Sequence, residues 1–283
     1  MNNIFNPLLC NDSRYIPSFP NSQMSLEIKE LWDYFRTTLE WGESIHSRAT
    51  FDFLINAKEF SRGDVILDAG AGHQRYKPFF DTSLYISQEH PAGIEFKKMQ
   101  GMSYDLISPI DEKIPLKDNS ISTIINTSVI EHVKNPQNFF CEAHRVLKMG
   151  GRIYTHVPFT YQEHEVPFDF QRPTRFGLQN WMQSSGFSKI SILPSSSNSY
   201  GSSAFILQSM QRDLFERGLT SRYNDIGPVL NYFIALINSS TDDFINTTSD
   251  IPIGWIAIAE KDGTLTKPNQ PIFKSNILKD ICV

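Results

Sequence analysis

The chain has little cysteine, no long apolar run and no cluster of basic residues. Of its 283 residues only three are cysteines, at positions 10, 141 and 282. Neither a disulfide framework nor a cysteine zinc site is therefore indicated, and we expect a reduced, cytoplasmic setting. The longest apolar runs, such as 232–237, are about six residues long. A membrane-spanning helix needs about 20 such residues, so we expect no transmembrane segment.

The charge balance argues against a nucleic-acid partner. The formal net charge is −5, and no basic stripe of the kind that binds phosphate backbones is present. The first residues lack a basic region followed by an apolar core, so no signal peptide is predicted. With 40% hydrophobic residues, the chain has ample material for a packed core.

A glycine is missing where a dinucleotide-binding fingerprint would need one. The apolar run 65–67 predicts a buried strand, which is followed by Asp68 and then by Gly70 and Gly72. The fingerprint G-x-G-x-x-G requires a third glycine at position 75, where the chain has Arg75. A nicotinamide-dependent oxidoreductase is therefore disfavoured. The glycine turn at the end of a strand still predicts a ligand site.

Strand and helix patterns alternate through the middle of the chain, which is typical of a parallel sheet. Strands are predicted at 64–68, 84–88, 102–105, 121–126, 151–157 and 188–193, with a last one near 253–260. A helix after the fourth strand is predicted to begin at Pro136, with Asn135 as its cap, and to stop at Gly150. We predict an α/β, Rossmann-like open sheet, mostly parallel with an antiparallel last strand, and helices on both faces.

Four stretches point to one protein family. They are LDAGAG at 67–72, IPLKDNS at 114–120, SVIEHV at 128–133 and RVLKMGG at 145–151. In this order and with these gaps they resemble the type 11 group of class I S-adenosylmethionine (SAM) methyltransferases. The resemblance implies a Rossmann-like domain, SAM as the cofactor and methyl transfer as the reaction.

Composition and periodicity, together with the resemblance, suggest a domain organisation. We expect an N-terminal lead-in and helical cap at 1–60, a methyltransferase domain at 61–261 and a C-terminal tail at 262–283. The N-terminal helices would pack on the sheet or cover the active site. A helical insertion at about 204–245 would cover the substrate mouth, form a homodimer contact or simply pack.

Residues near the first two strands are implied to bind the cofactor. The turn at Gly70 and Gly72 would let the backbone approach the methionine part of SAM. Asp68 would bind the ammonium group or only fix the turn. Glu89 lies 21 residues after Asp68, where an acid can accept hydrogen bonds from a ribose. Glu89 could instead be a solvated surface residue, and His90 would replace it if the strand register were shifted by one.

Three further cofactor residues follow from the resemblance. Asp105 would meet the adenine amino group, and the N–H of Leu106 would meet the ring. Asp111 competes with Asp105 because the loop between Asp105 and the next motif is long. Asn126 ends the fourth strand, and its backbone is expected to face the methionine.

The segment 159–178 follows the fifth strand and is dense in reactive side chains. His164 is the candidate general base, because imidazole titrates near neutral pH. Asp169 would orient His164 or bind the substrate. Arg172 and Arg175 would bind a carboxylate or phosphate of the substrate. Alternatively, His164, Asp169 and Arg172 only form a polar network that holds the loop.

No metal site is expected from the spacing. His164 together with Glu163, Glu165 and Asp169 matches no metal-binding motif. Glu131 and His132, within the third family stretch, are expected to pack and to orient the following helix.

The leading hypothesis is a SAM-dependent methyltransferase that acts on a small-molecule or glycan-like acceptor, with oxygen favoured over nitrogen. The alternative is a non-catalytic fold-mate that binds SAM or a partner.

Overall fold

The structure is a computed structural model that describes residues 29–31, 33–34, 45–61, 63–81, 83–195 and 251–262, and short stretches between 202 and 229. Most of the predicted lead-in and helical cap before residue 45, most of the insertion at 204–245 and the tail beyond 262 lie outside the described residues. The chain divides into two compact units. One comprises Asp52–Leu193 and Gly254–Phe273, and the other comprises Met1–Phe51, Pro194–Ile253 and Lys274–Val283.

Strands and helices alternate along the described chain. The helices are α1 (Ile45–Ser61), α2 (Pro91–Phe96), α3 (Pro136–Val146) and α4 (Arg175–Ser184), with short 3₁₀ turns at Lys77–Phe80 and Ile130–His132. The strands are β1 (Val65–Ala69), β2 (Leu84–Glu89), β3 (Leu106–Ile107), β4 (Ile121–Thr127), β5 (Leu147–Pro158), β6 (Ser188–Pro194) and β7 (Gly254–Glu260).

The seven strands form one sheet in the order β3-β2-β1-β4-β5-β7-β6. β1 pairs in parallel with β2 and with β4, and β4 pairs in parallel with β5. β7 runs antiparallel to β5. The predicted open, mostly parallel sheet with an antiparallel last strand is confirmed. The strand order reverses between β1 and β4, and ligands of such sheets bind at the carboxyl ends of the strands beside this reversal.

The core is formed by the central strands and by one face of α3. After Pro136, the buried α3 side chains are those of Phe139, Phe140, Ala143 and Val146, as the 3.6-residue periodicity predicts. Those four face the sheet. They belong to one cluster with Leu67 of β1, Ile124 of β4 and Ile153 of β5, among other apolar residues. α3 thus packs its apolar face against the central strands of the sheet.

Three predicted boundaries are wrong, namely those of the third strand, of the end of α3 and of the start of β5. Residues 102–105 do not form the third strand, because the N–H of Met102 bonds the carbonyl of Met99 in a turn, and pairing with β2 begins only at Leu106. Gly150 does not stop α3. The helix ends at Val146, and Gly150 lies within β5 with a positive φ of 78°.

Arg145 joins two of the family stretches, 114–120 and 145–151. Its Nη1 donates to the carbonyl of Leu116 at 2.9 Å and to Oδ1 of Asp118 at 2.6 Å. Its Nη2 donates to the carbonyl of Ile114 at 2.8 Å, and its Nε donates to Oε1 of Glu142 at 2.8 Å. One guanidinium therefore ties the loop before β4 to the last turns of α3.

Within the described residues, no helix combines the length and the apolar character that a bilayer crossing demands.

Candidate functional site

Two glycines with left-handed backbone build the turn that follows β1. Gly70 and Gly72 have φ angles of +83° and +52°, a region that side chains with a Cβ avoid. A Cβ at Gly70 would lie 2.4 Å from Cγ2 of Val129, whereas a Cβ at Gly72 would meet nothing within 4 Å. Gly70 therefore allows the turn to pack closely against the segment after β4, and Gly72 leaves open space beside the turn.

The end of β2 holds this turn in place. The N–H groups of Gly70 and Ala71 both donate to the carbonyl of Gln88, at 3.1 and 2.8 Å. The N–H of Gly72 donates to Oε2 of Glu89 at 2.7 Å. Glu89 is only 7% exposed, so it is not a solvated surface residue. The structure thus brings Glu89 to the glycine turn.

His90 has a different position from Glu89. It is exposed, and its Nδ1 accepts a hydrogen bond from the N–H of Ala92 at 3.0 Å, which caps the start of α2. Oε1 of Glu89 in turn accepts from the N–H of His90 at 2.8 Å. The last residue of β2, rather than its neighbour, therefore presents its side chain to the turn.

Asp68 is a buried acid on β1. Its side chain is 1% exposed, and Oδ2 accepts a hydrogen bond from the hydroxyl of Tyr85 on β2. Burial, the largest cause, raises the pKa of Asp68 to about 7; the charge of Glu89 acts in the same direction, and the hydrogen bond from Tyr85 opposes both. A positively charged group nearby would favour the ionised form of this carboxyl.

Asp105 and Asp111 lie against different elements. Oδ2 of Asp105 accepts from the N–H and the hydroxyl of Ser87 on β2, at 2.8 and 2.7 Å, and the bond from the Ser87 N–H lowers the pKa of Asp105. Leu106 begins β3 and pairs with Gln88 of β2. Oδ2 of Asp111 lies 3.3 Å from the N–H of Asn135, just before α3.

Asn126 bridges the two strands at the reversal of the sheet. Its Nδ2 donates to the carbonyl of Ala69 at 2.7 Å, which links β4 to the end of β1. The side chain is fully buried, and within the described part of the chain its Oδ1 has no hydrogen-bond partner. A buried acceptor without a donor is costly. The carboxyl ends of β1 and β4 thus retain an unused acceptor beside the glycine turn.

The 3₁₀ turn Ile130–His132, directly after β4, anchors the loop that contains the predicted catalytic residues. The N–H groups of Phe170 and Gln171 donate to the carbonyl of Glu131, at 2.7 and 3.2 Å. Nδ1 of His132 lies 2.7 Å from the carbonyl of Phe168. These bonds place the loop against the segment that follows Val129. The side chain of Val129 itself packs on Gly70.

His164, Asp169 and Arg172 do come together. Arg172 holds the carboxylate of Asp169 with two nitrogens, Nη1 at 2.5 Å from Oδ1 and Nη2 at 2.7 Å from Oδ2. The same carboxylate accepts from the N–H of His164 at 3.0 Å. Burial alone would raise the pKa of Asp169, but the bonds from Arg172 and His164 lower it. Asp169 and Arg172 thus position the loop and the backbone of His164.

The imidazole of His164 faces two residues that the sequence analysis left out of the site. Its Nε2 lies 3.8 Å from Oε1 of Glu131, and its ring lies edge-on to that of His132 at 4.9 Å between centroids. Burial raises the pKa of the Glu131 carboxyl to about 8 and lowers the pKa of His132. The signal for these residues was an acid and an imidazole directly after a strand, which was interpreted as packing.

Comparisons with known proteins give one family-model match and several distant structural matches. The family model described as a methyltransferase domain matches residues 67–155. Phosphoethanolamine N-methyltransferase 2 of Haemonchus contortus, in complex with phosphomonomethylethanolamine and S-adenosylhomocysteine, is 14% identical, with a TM-score of 0.44 over 75% of this chain and 52% of that one. This chain therefore spans about half the length of the Haemonchus enzyme.

Two other solved structures are matched at similar distance. The [4+2]-cyclase SpnF is 16% identical, with a TM-score of 0.49 over 76% of this chain and 82% of that one. Geranyl diphosphate methyltransferase in complex with SAM is 12% identical, with a TM-score of 0.44 over 76% of this chain and 85% of that one. No curated protein sequence matches.

Proposed function

The chain carries a class I methyltransferase domain of the SAM-dependent type, and on this premise we propose that it methylates a small-molecule or glycan-like acceptor. Oxygen is favoured over nitrogen as the methylated atom. Methyl transfer is an in-line displacement in which the acceptor atom bonds the methyl carbon while the carbon–sulfur bond of the sulfonium breaks. The protein must therefore hold both reactants about 3 Å apart and aligned.

The observation that carries this proposal is the glycine turn with its acid. Glu89 accepts the N–H of Gly72 through Oε2 at the end of β2, beside the point where the strand order reverses. A carboxylate at this point can accept hydrogen bonds from both hydroxyls of a ribose, as acids do in related nucleotide sites. The open space at Gly72 would leave room for the cofactor against the backbone.

The other predicted cofactor residues surround the same strand ends. Asp68, with its raised pKa, would bind the ammonium group of SAM, because a cation restores the charge that burial disfavours. The side chain of Asn126 links β4 to β1 by a hydrogen bond, and its backbone would face the methionine. Asp105 and Leu106, at the start of β3, would take the adenine.

The loop 159–178 would receive the acceptor. The loop is anchored on the segment after β4. Of the predicted catalytic residues, His164 directs its side chain towards this segment, with Nε2 near Oε1 of Glu131. Asp169 and Arg172 would act as positioning residues, because their hydrogen bonds are made to each other and to the loop backbone. We therefore assign contact with the acceptor to His164 rather than to Asp169 or Arg172.

Calorimetry with SAM and S-adenosylhomocysteine tests the cofactor site. The wild-type protein is expected to bind both, and Glu89→Ala is expected to weaken binding about 10- to 100-fold, since a hydrogen bond to a charged group contributes about 1.5–3 kcal/mol. Glu95→Ala is the matched control, because Glu95 is an exposed carboxylate on the neighbouring helix α2. Absence of SAM binding by the wild type would refute the proposal.

A screen with methyl-labelled SAM tests the transfer. Hydroxylated small molecules, glycosides and amines are offered separately, with His164→Gln as the inactive comparison. Transfer to an oxygen acceptor that depends on His164 is the expected result. SAM binding without transfer to any acceptor would favour the non-catalytic alternative.

A further inference from the structure

Three possible metal ligands from two distant segments point at one another. Nε2 of His132 and Nε2 of His164 lie 3.9 and 3.8 Å from Oε1 of Glu131. One ligand atom from each of the three residues lies within 4.8 Å of the other two. We propose that Glu131, His132 and His164 bind a divalent transition-metal ion at the mouth of the acceptor site.

The hydrogen bonds of both imidazoles leave Nε2 as the lone-pair nitrogen. Nδ1 of His132 lies 2.7 Å from the carbonyl of Phe168. Since a carbonyl only accepts, Nδ1 carries the proton and Nε2 carries the lone pair. Metal-binding histidines nearly always donate their other ring N–H to a carbonyl or carboxylate in this way.

His164 is oriented by the same kind of bond. Its Nδ1 lies 3.2 Å from the carbonyl of Gln162 and 3.3 Å from Oδ2 of Asp169, both of which are acceptors. Nη2 of Arg172 lies 3.4 Å from Nδ1, but it already donates to Gln162 at 2.9 Å and to Asp169 at 2.7 Å. Both N–H groups of Nη2 therefore donate to these closer acceptors and not to Nδ1. Nδ1 therefore bears the proton, and Nε2 offers its lone pair to the cluster.

Glu131 is the second, independent sign of a missing cation. Its side chain is fully buried, and neither carboxyl oxygen has a hydrogen-bond partner within the described residues. A buried carboxylate without a donor carries a large desolvation cost. When Glu131 is ionised and both imidazoles are neutral, Oε1 and the two Nε2 atoms all present lone pairs to one another. A cation would satisfy all three atoms at once.

The distances suit a small transition-metal ion after a slight contraction. Zinc binds histidine nitrogen and carboxylate oxygen at about 2.0–2.2 Å, which separates tetrahedral ligands by about 3.4 Å. The observed separations of 3.8 and 3.9 Å need to shorten by about half an ångström. Oε2 of Glu165 lies 3.7 Å from Nε2 of His132 and could approach as a further ligand. Two imidazoles and a carboxylate are a set that Zn²⁺, Fe²⁺, Co²⁺ and Mn²⁺ accept with positions left open.

This inference deepens the proposed function and rests on it for the role of the metal. An open coordination position would bind the hydroxyl oxygen of the acceptor and lower its pKa. The hydroxyl proton would leave to water, and the coordinated oxygen would then bond the methyl carbon as the carbon–sulfur bond breaks. His164 would thereby act on the acceptor through the ion. A coordinated hydroxyl would further favour oxygen as the target.

Titration of chelator-stripped, full-length protein with Co²⁺ tests the site. The visible d–d absorption of Co²⁺ reports the ligand set, and displacement by Zn²⁺ reports competition for it. One equivalent of Co²⁺ is expected to bind. Glu131→Gln, His132→Gln and His164→Gln should each weaken binding by more than the roughly 10- to 100-fold that loss of an outer-shell partner causes.

Glu163→Gln and His144→Gln are the matched controls. Glu163 is an exposed carboxylate adjacent to His164, and His144 lies on α3 with its ring against Phe187. Both controls should bind Co²⁺ as the wild type does. Circular dichroism of the metal-free variants separates loss of a ligand from loss of the fold, and a variant that fails to fold is replaced by His132→Asn or His164→Asn.

The outcomes are distinct. No binding of Co²⁺ or Zn²⁺ would overturn the metal site, as would binding that survives all three ligand substitutions. Either result would leave an ion pair between a protonated imidazole and Glu131 as the explanation of the cluster. SAM binding is measured on the same samples. SAM binding without metal binding would sink this inference alone, and metal binding without SAM binding would sink the proposed function alone.

Discussion

Replacing Asp68 with asparagine is expected to stabilise the ligand-free protein above neutral pH and to weaken its affinity for SAM. In the folded chain, burial raises the pKa of this carboxyl from 3.8 to about 7. Between these two values the unfolded chain has lost a proton that the folded chain still holds. The free energy of unfolding therefore falls as the pH rises through this window.

The magnitude follows from the size of the pKa shift. Each unit corresponds to about 1.4 kcal/mol, so a shift of about three units gives at most about 4 kcal/mol. Asparagine has the same shape as aspartate and still offers an oxygen to the hydroxyl of Tyr85. The variant should match the wild type near pH 4 and exceed its free energy of unfolding by up to about 4 kcal/mol at pH 8.

Urea denaturation followed by circular dichroism between pH 4 and pH 8.5 measures this difference. Asp64→Asn is the control, because the hydrogen bond from Lys148 lowers the pKa of Asp64 instead of raising it. The contribution of Asp64 is present above its unfolded pKa and is lost only in acid, so its removal should never stabilise the protein. A difference between Asp68→Asn and wild type that stays constant with pH, or a destabilised variant at pH 8, would refute the reasoning.

The loss of SAM affinity in Asp68→Asn completes the argument. An ammonium group bound to the ionised carboxyl contributes about 1.5–3 kcal/mol, so calorimetry at pH 8 should show about 10- to 100-fold weaker binding. A buried acid kept at the cost of stability is the expected sign of a ligand site. A variant that binds SAM as tightly as the wild type would leave Asp68 with the turn-fixing role alone.

Three further substitutions separate other parts of the structure. Gly70→Ala should lower the melting temperature more than Gly72→Ala, since both incur about 1–2 kcal/mol of backbone strain but only the first adds a clash with Val129; equal effects would contradict the close packing. Arg172→Lys should reduce methyl transfer about tenfold with an unchanged circular dichroism spectrum, because lysine lacks the two-pronged geometry; full activity would show that the fork is dispensable. Arg145→Lys should lower the free energy of unfolding by about 2 kcal/mol in urea titrations, because several hydrogen bonds are lost; an unchanged midpoint would contradict its bridging role.

Local patterns explain which elements could be predicted. β1 and α3 are marked by an apolar run, by Pro136 at a first helical position and by an apolar stripe, all of which act over a few residues. The start of β5 was missed because Leu147 is extended by pairing with Ile121 of β4, a partner 26 residues away. The third strand was misplaced for the same reason, since its two residues are defined by their pairing with Gln88 and Glu89.

The cofactor side of the site was more accessible to prediction than the acceptor side. Asp68 and Glu89 end neighbouring strands, and the carboxyl ends of parallel strands meet at one edge of the sheet. Their proximity therefore follows once the strands are recognised. The hydrogen bond from Tyr85 to Asp68 does not follow, because it depends on the pairing register of β2 against β1.

The spacing of residues along the chain could not predict the cluster around His164, and the reason is physical. Acidic neighbours in the chain were considered as its metal partners, yet the carboxylate of Asp169 is held by Arg172. The residues that His164 does face, Glu131 and His132, come from a turn more than 30 residues earlier. The proton positions that would make the two imidazoles ligands are set by the backbone carbonyls of residues 168 and 162. A backbone carbonyl has no side-chain signature, so the orientation of these rings arises only when the loop docks on the end of β4.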